Sequence, residues 1–141
     1  MACGGVVAKM TGVEVITEQL HGSGPFPIYC HLTIGKGDGS KRGQITLYVT
    51  DSGENGAMGS FVYALPSPRS ATGVFLTKLF QNEGSIDVAE RLAQLMARKF
   101  SRPILVSCSL STDSGSTGLY SIIAFVQTNL ERVDGESLNV N

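Results

Sequence analysis

Apolar and polar residues alternate in three stretches of the first half of the chain. Ile28, Cys30, Leu32 and Ile34 interleave with Tyr29, His31 and Thr33, and Ile45, Leu47 and Val49 interleave with Thr46, Tyr48 and Thr50. In FVYALP the large residues Phe61, Tyr63 and Leu65 form the same two-residue rhythm. A period of two built from Val, Ile, Thr and Tyr predicts half-buried antiparallel strands. The intervening GKGDGSKRG (Gly35 to Gly43) and DSGENGAMG (Asp51 to Gly59) are glycine-rich and polar, as hairpin connections are. Val13–Leu20 and Val74–Phe80 also read as strands, because β-branched and aromatic residues there sit beside Gly and Pro breakers.

After Ser85 the period changes. Ala89, Leu92, Ala93, Met96 and Phe100 fall on one face of a helix that Ser85 can cap. Asp87 lies in its first turn, Arg98 and Lys99 in its last, and Pro103 follows, as the helix dipole and stop rules require. Pro103 to Ser111 reads as a further strand and STDSGSTG as a loop. Leu119, Ile122, Ile123, Val126, Leu130 and Val133 then mark a final helix. The expectation is one α+β domain over 1–141 in the order βββββαβα. An antiparallel six-stranded sheet or sandwich carries two helices, and 1–10 and 135–141 are flexible.

The 141 residues carry 42% hydrophobic and 16% charged positions, with a net charge of −1. Such a chain buries a core of its own and lacks the field that grips nucleic acid or an anionic membrane. Three cysteines at wide spacing (Cys3, Cys30 and Cys108) give neither a disulfide framework nor a zinc ribbon. The N-terminal MACGGVVAKM lacks the layout of a secretion signal, so the expected location is the cytoplasm, and the nucleus with it.

The candidate chemistry is sparse. Asp51-Ser52-Gly53 and Asp113-Ser114-Gly115 match the aspartic-protease triplet, in which two carboxylates share one proton. The hydrophobic-hydrophobic-Gly sequence needed downstream of each is missing, which leaves two turns as the alternative. Cys30 and His31 are adjacent, so a strand points them to opposite faces and they cannot form a nucleophile and base. Cys30 and Cys108 fall on apolar phases and read as core. The loop GKGDGSKRG matches no phosphate-binding motif and precedes a strand.

The helices are more informative. At 100° per residue the final helix is apolar over about 160° and the first over about 200° if its alanines count. Such arcs bury flanks against each other or await a partner. Phe125 lies at the edge of the final arc, where a large aromatic either closes the gap between helices or anchors a partner.

From Phe61 onward the chain resembles the proteasome assembly chaperone 4 family, especially its fungal branch. The resemblance is carried by FVYALPSPR, IDVAERLAQLMARKFSRPILVSCSLS and LYSIIAFVQTNLERV, most of all by the helix exit from Ala89 to Pro103 that runs into a Val-Ser strand. It spans roughly Phe61 to Asp134. It implies a small β domain with two helices, paired with a chaperone 3-type subunit. That heterodimer binds a proteasome α-type subunit early in 20S assembly and helps the α-ring form, without cofactor or ATP. The residues proposed to meet a partner are Phe125, Ile122, Asn129, Arg98 and Arg102, and self-association in isolation is a further expectation. The readings from other classes are an aspartic-type hydrolase and a generic α+β interaction scaffold.

Overall fold

A computed structural model describes residues 6–10, 13–20, 27–35, 43–51, 59–110 and 112–138. The elements are β1 (Val6–Met10), β2 (Val13–Leu20), β3 (Ile28–Gly35), β4 (Ile45–Thr50), β5 (Ser60–Pro66), β6 (Val74–Phe80), α1 (Ile86–Phe100), β7 (Ile104–Cys108) and α2 (Thr112–Leu138). The α+β class, two helices and six strands stand in the expected order, and Val6–Met10 adds a strand before them.

Among the described residues the strands form one sheet in the order β1-β2-β3-β4-β7-β5-β6. The wholly antiparallel sheet expected from the alternation is corrected here: β7 runs parallel to β4 and antiparallel to β5. The chain leaves a slot between β4 and β5, builds β6 and α1, and returns to fill it. Alternation reports which residues share a face; it carries no information on the order or direction of pairing. Helix α2 brings a second difference. It begins at Thr112, so the segment STDSGSTG that reads as a loop is helical from its second residue.

The register fixes the two faces. Leu32 lies opposite Leu47 and Leu47 opposite Val106; Ile34 pairs with Ile45, and Ile45 with Ile104. These side chains, with Cys30, Val49, Val62, Ala64 and Cys108, are fully buried. They form one cluster with Ala89, Leu92, Ala93, Met96 and Ala97 of α1 and with Ile122, Val126, Leu130 and Val133 of α2. Helix α1 packs on β5, β7 and β6, and α2 on α1 and β3, so both helices cover this face. Alanines at 89, 93 and 97 let α1 approach closely, and at Gly118 an added Cβ would collide with Ile28.

Strand β5 reverses one expectation. Val62 and Ala64 are its core phase, and Phe61, Tyr63 and Leu65 point to the other face. Residue size suggested the opposite; the close approach of α1 selects the smaller side chains.

Ser85 stands at the N-cap of α1, yet its hydroxyl makes no capping bond. The Ser60 N–H donates to Ser85 Oγ at 3.1 Å, and the two hydroxyls pair at 2.9 Å. Ser60 Oγ also accepts from the Asn82 N–H at 3.0 Å. This buried polar group ties the start of α1 to β5. Gly59 beside it admits no side chain, since a Cβ would strike the Cys108 carbonyl. Helix α1 ends on Ser101 in the left-handed region (φ 55), whose N–H donates to Ala97 O at 3.0 Å.

Candidate partner-docking surface

The nucleophile and acid–base candidates sit on different elements of the structure. Asp113–Gly115 lie in the first turns of α2 and not in a turn, and Asp51 directly follows β4. Cys30 and Cys108 both sit on the helix-covered face, each in register with Val49 between them. Burial pushes the Cys108 thiol up to about 11, offset in part by a backbone hydrogen bond from Leu110 and reinforced by Asp51. A thiol so held is protonated at neutral pH and no nucleophile. Among the described residues no three His, Cys, Asp or Glu side chains gather as metal ligands, and no helix is long and apolar enough to cross a membrane.

The five residues expected to meet a partner differ in their burial. Ile122 is fully buried and Phe125 is 7% exposed; both belong to the core, where Phe125 fills the edge of the helical arc. Arg102 is also buried (3% exposed) and its Nη2 donates to Asp134 Oδ1 at 2.8 Å, joining the end of α1 to α2. Its Nη1 has no partner. Asn129 turns its amide back on its own helix, donating to Phe125 O at 2.8 Å. Arg98 is exposed, with its stem near Gly73 of the β5–β6 turn. Ile122, Phe125 and Arg102 thus serve the packing of α2 against α1 and the sheet, Asn129 is half-buried on its own helix, and Arg98 stays exposed. The wide arcs are filled by neighbours within the chain.

Among the described residues, the sheet face that no helix covers is the other one. Both described helices lie on the face of Leu32 and Leu47, and the alternate residues point away from them. In the central strands these are Tyr29, His31 and Thr33 on β3, Thr46, Tyr48 and the buried Thr50 on β4, Leu105 and the buried Ser107 on β7, and Phe61, Tyr63 and Leu65 on β5. At the edge, Phe75 pairs with Leu65, Thr77 with Tyr63 and Phe80 with Phe61, so they extend the same face. His31 and Tyr48 face each other across β3 and β4 with ring centroids 5.7 Å apart.

None of these positions carries an Asp, Glu, Lys or Arg. A sheet face that meets water permanently normally alternates apolar-in with charged or polar-out. This one offers aromatic rings, hydroxyls and aliphatic groups, the composition of an interface core from which charge is depleted. Its large apolar residues Leu65 (41%), Phe75 (51%) and Phe80 (52%) are exposed. The signal was present in the sequence in the out-of-phase positions of the strands. Their aromatic, uncharged character, and not the helical arcs, marks the surface.

A family model described as proteasome assembly chaperone 4 matches residues 27–110, the stretch from the entry of β3 to just past β7 that builds this face. The chain belongs to that family. The match includes β3 and β4 and stops before α2, whereas the resemblance read from the sequence began at Phe61 and ran through α2. No curated protein sequence matches the chain. Among solved structures it resembles a chain of the crystal structure of a novel chaperone complex for yeast 20S proteasome assembly. The two are 22% identical with a TM-score of 0.60, over 89% of this chain and 98% of that one. At that identity the likeness establishes the shared fold. Family membership and fold place the protein among proteasome assembly chaperones.

Proposed function

We propose that this chain is a non-enzymatic subunit of a 20S proteasome assembly chaperone, acting by transient protein–protein contact in the cytoplasm and nucleus. It pairs with a chaperone 3-type subunit of similar fold, and the pair holds a proteasome α-type subunit while the α-ring forms. The observation that carries the pairing is the uncharged aromatic face of the sheet. Two such faces stack about 10 Å apart with their helices outward, burying rings and hydroxyls on both sides. Tyr29, Tyr48 and Tyr63 suit this use, because a phenol stands in water when the subunit is alone and packs when it is paired. The reading asks for no cofactor and no ATP, since binding energy alone orders the α subunits.

A tagged full-length chain should co-purify from cells with a second small β-rich protein and with α-type subunits not yet in complete 20S particles, identified by mass spectrometry. Recovery of neither would overturn the proposal. No described contact favours the aspartic-hydrolase reading, because the second D-S-G triplet is helical.

A further inference from the structure

The end of α1 and the later turns of α2 enclose a cleft of about 180 Å³ on the helix side of the sheet. Lys99, Phe100 and Arg102 line it from the end of α1, and Leu130, Glu131 and Asp134 from α2. That volume is below the roughly 300 Å³ and more of sites for cofactors and drug-sized molecules. It suits a single side chain.

Arg102 decides what can enter. Its side chain is only 4% exposed, and Nη2 donates to Asp134 Oδ1 at 2.8 Å. Nη1 is buried as well and has no acceptor among the described residues. A guanidinium can only donate, so the group that completes it must be an acceptor that reaches into the cleft and not merely its rim. The charges around it cancel: Lys99 and Arg102 carry two positive charges, Glu131 and Asp134 two negative ones. A balanced lining returns nothing to an ion for the water it sheds, which favours a neutral acceptor over a carboxylate or phosphate.

The remaining polar atoms narrow the choice. Asp134 meets Arg102 through Oδ1, and Glu131 accepts from Gln127 Nε2 at 3.2 Å through Oε1. Each carboxylate keeps a second oxygen as an acceptor. A donor beside acceptors is the complement of a primary carboxamide, whose carbonyl accepts and whose NH2 donates. Phe100 and Leu130 give the cleft an apolar wall, which a methylene stem fills with more gain than loosely held water does. We infer that this cleft is a binding site for a glutamine side chain of a partner chain, its carbonyl on Arg102 Nη1 and its NH2 on the carboxylate of Asp134 or Glu131. The cleft and the open face lie on opposite sides of the sheet, so this site and the pairing of sheet faces can each fail without the other.

The test titrates the full-length, isotope-labelled chain with N-acetyl-glutamine N-methylamide and follows the backbone amides by NMR. Those of Phe100, Arg102, Glu131 and Asp134 should shift together and saturate with a Kd of about 1 mM, the affinity a ligand of this size supports. On the same parent chain the equally blocked methionine and glutamate should bind about tenfold more weakly. Methionine lacks the two hydrogen bonds, and glutamate is repelled by Glu131 and Asp134. Arg102→Met should weaken glutamine binding about tenfold as well. No saturation at the solubility limit, methionine bound as tightly as glutamine, or Arg102→Met binding as the parent does would each overturn the inference. Tighter binding of glutamate would also overturn it and give the cleft to an anion. The comparison of the three ligands uses the unaltered chain and so holds whether or not the variant folds.

Discussion

The two faces of the sheet share one backbone and differ in almost everything else. On the covered face Cys30, Leu32, Ile34, Ile45, Leu47, Val49, Ile104 and Val106 are branched, compact or sulfur-bearing, and none is accessible to water. On the open face the same strands present Tyr29, His31, Thr33, Tyr48, Phe61 and Tyr63, half-buried among themselves. The first set can exist only under helices. The second tolerates water and tolerates cover, and that double competence is what a subunit needs if it meets its partner after folding. The difference also separates two kinds of prediction: substitutions on the covered face should show in stability, and those on the open face in association.

The largest effect belongs to the centre of the covered face. Leu47 lies between Leu32 and Val106, so Leu47→Ala should cost about 3–4 kcal/mol of unfolding free energy by urea titration. Phe125→Ala, at the rim of the same core, should cost about 3 kcal/mol for the same reason. A Phe125 variant as stable as the parent would return that ring to the surface and weaken the division between faces.

Tyr63→Asp sharpens the comparison from the other side. Tyr63 sits mid-strand on the open face, in register with Thr77 and Leu105. The carboxylate reaches water in the free chain, so stability should change by no more than about 1 kcal/mol. In a stacked pair of sheets it would be buried without a counter-ion, and recovery of the partner in pull-downs should fall roughly thirtyfold, about 2 kcal/mol. Undiminished recovery would move the pairing surface elsewhere.

Much of the covered face could be read from residue order. The apolar phases of β3 and β4 and the Ala89, Leu92, Ala93, Met96 stripe of α1 follow from periods that any buried face imposes. What could not be read is relational. The slot between β4 and β5 is filled by a strand that comes more than fifty residues after β4, as the Ile45–Ile104 pairing records, and no local pattern reports that. The helical start of α2 at Thr112 runs against its own composition, since Ser, Thr, Asp and Gly favour turns and the helix is imposed by packing further along. Phe125, Ile122 and Arg102, expected to meet a partner, are buried within the chain itself. The width of a helical arc counts how many directions are apolar and not which of them a neighbour already occupies. In β5 the larger residues Phe61, Tyr63 and Leu65 drew attention as core, when their size was itself the sign of a face with room in front of it.

A smaller effect tests Arg102, the one buried charge among the described residues. Asp134 is 45% exposed at its side chain and Arg102 only 4%. Asp134→Asn leaves a buried guanidinium without its counter-charge and should cost about 1–2 kcal/mol, moderated by water at the aspartate side. Arg102→Met removes the charge together with its need for a partner and should cost less. The reverse order, measured by thermal and urea unfolding of the two variants, would mean that the guanidinium is held mainly by its stem's packing.

The narrowest effect is confined to alkaline solution and belongs to Cys108, on the covered face. Burial raises its thiol from the ordinary 9.0 to about 11. The folded state therefore favours the protonated thiol, and below pH 9 both folded and unfolded chains hold that proton, so stability does not respond. Between pH 9 and 11 the unfolded chain loses the proton first, and unfolding becomes easier as pH rises, by at most about 2–3 kcal/mol. Above 11 both states are ionised and this contribution is flat. Urea titrations of the parent and of Cys108→Ala across this range should therefore converge as pH rises, because the variant lacks the thiol's share of the slope. In the folded parent the same thiol should resist alkylation at neutral pH and react only at the rate of global unfolding. Fast alkylation without unfolding would show that water reaches the covered face, and the dry character that distinguishes it from the open face would be lost.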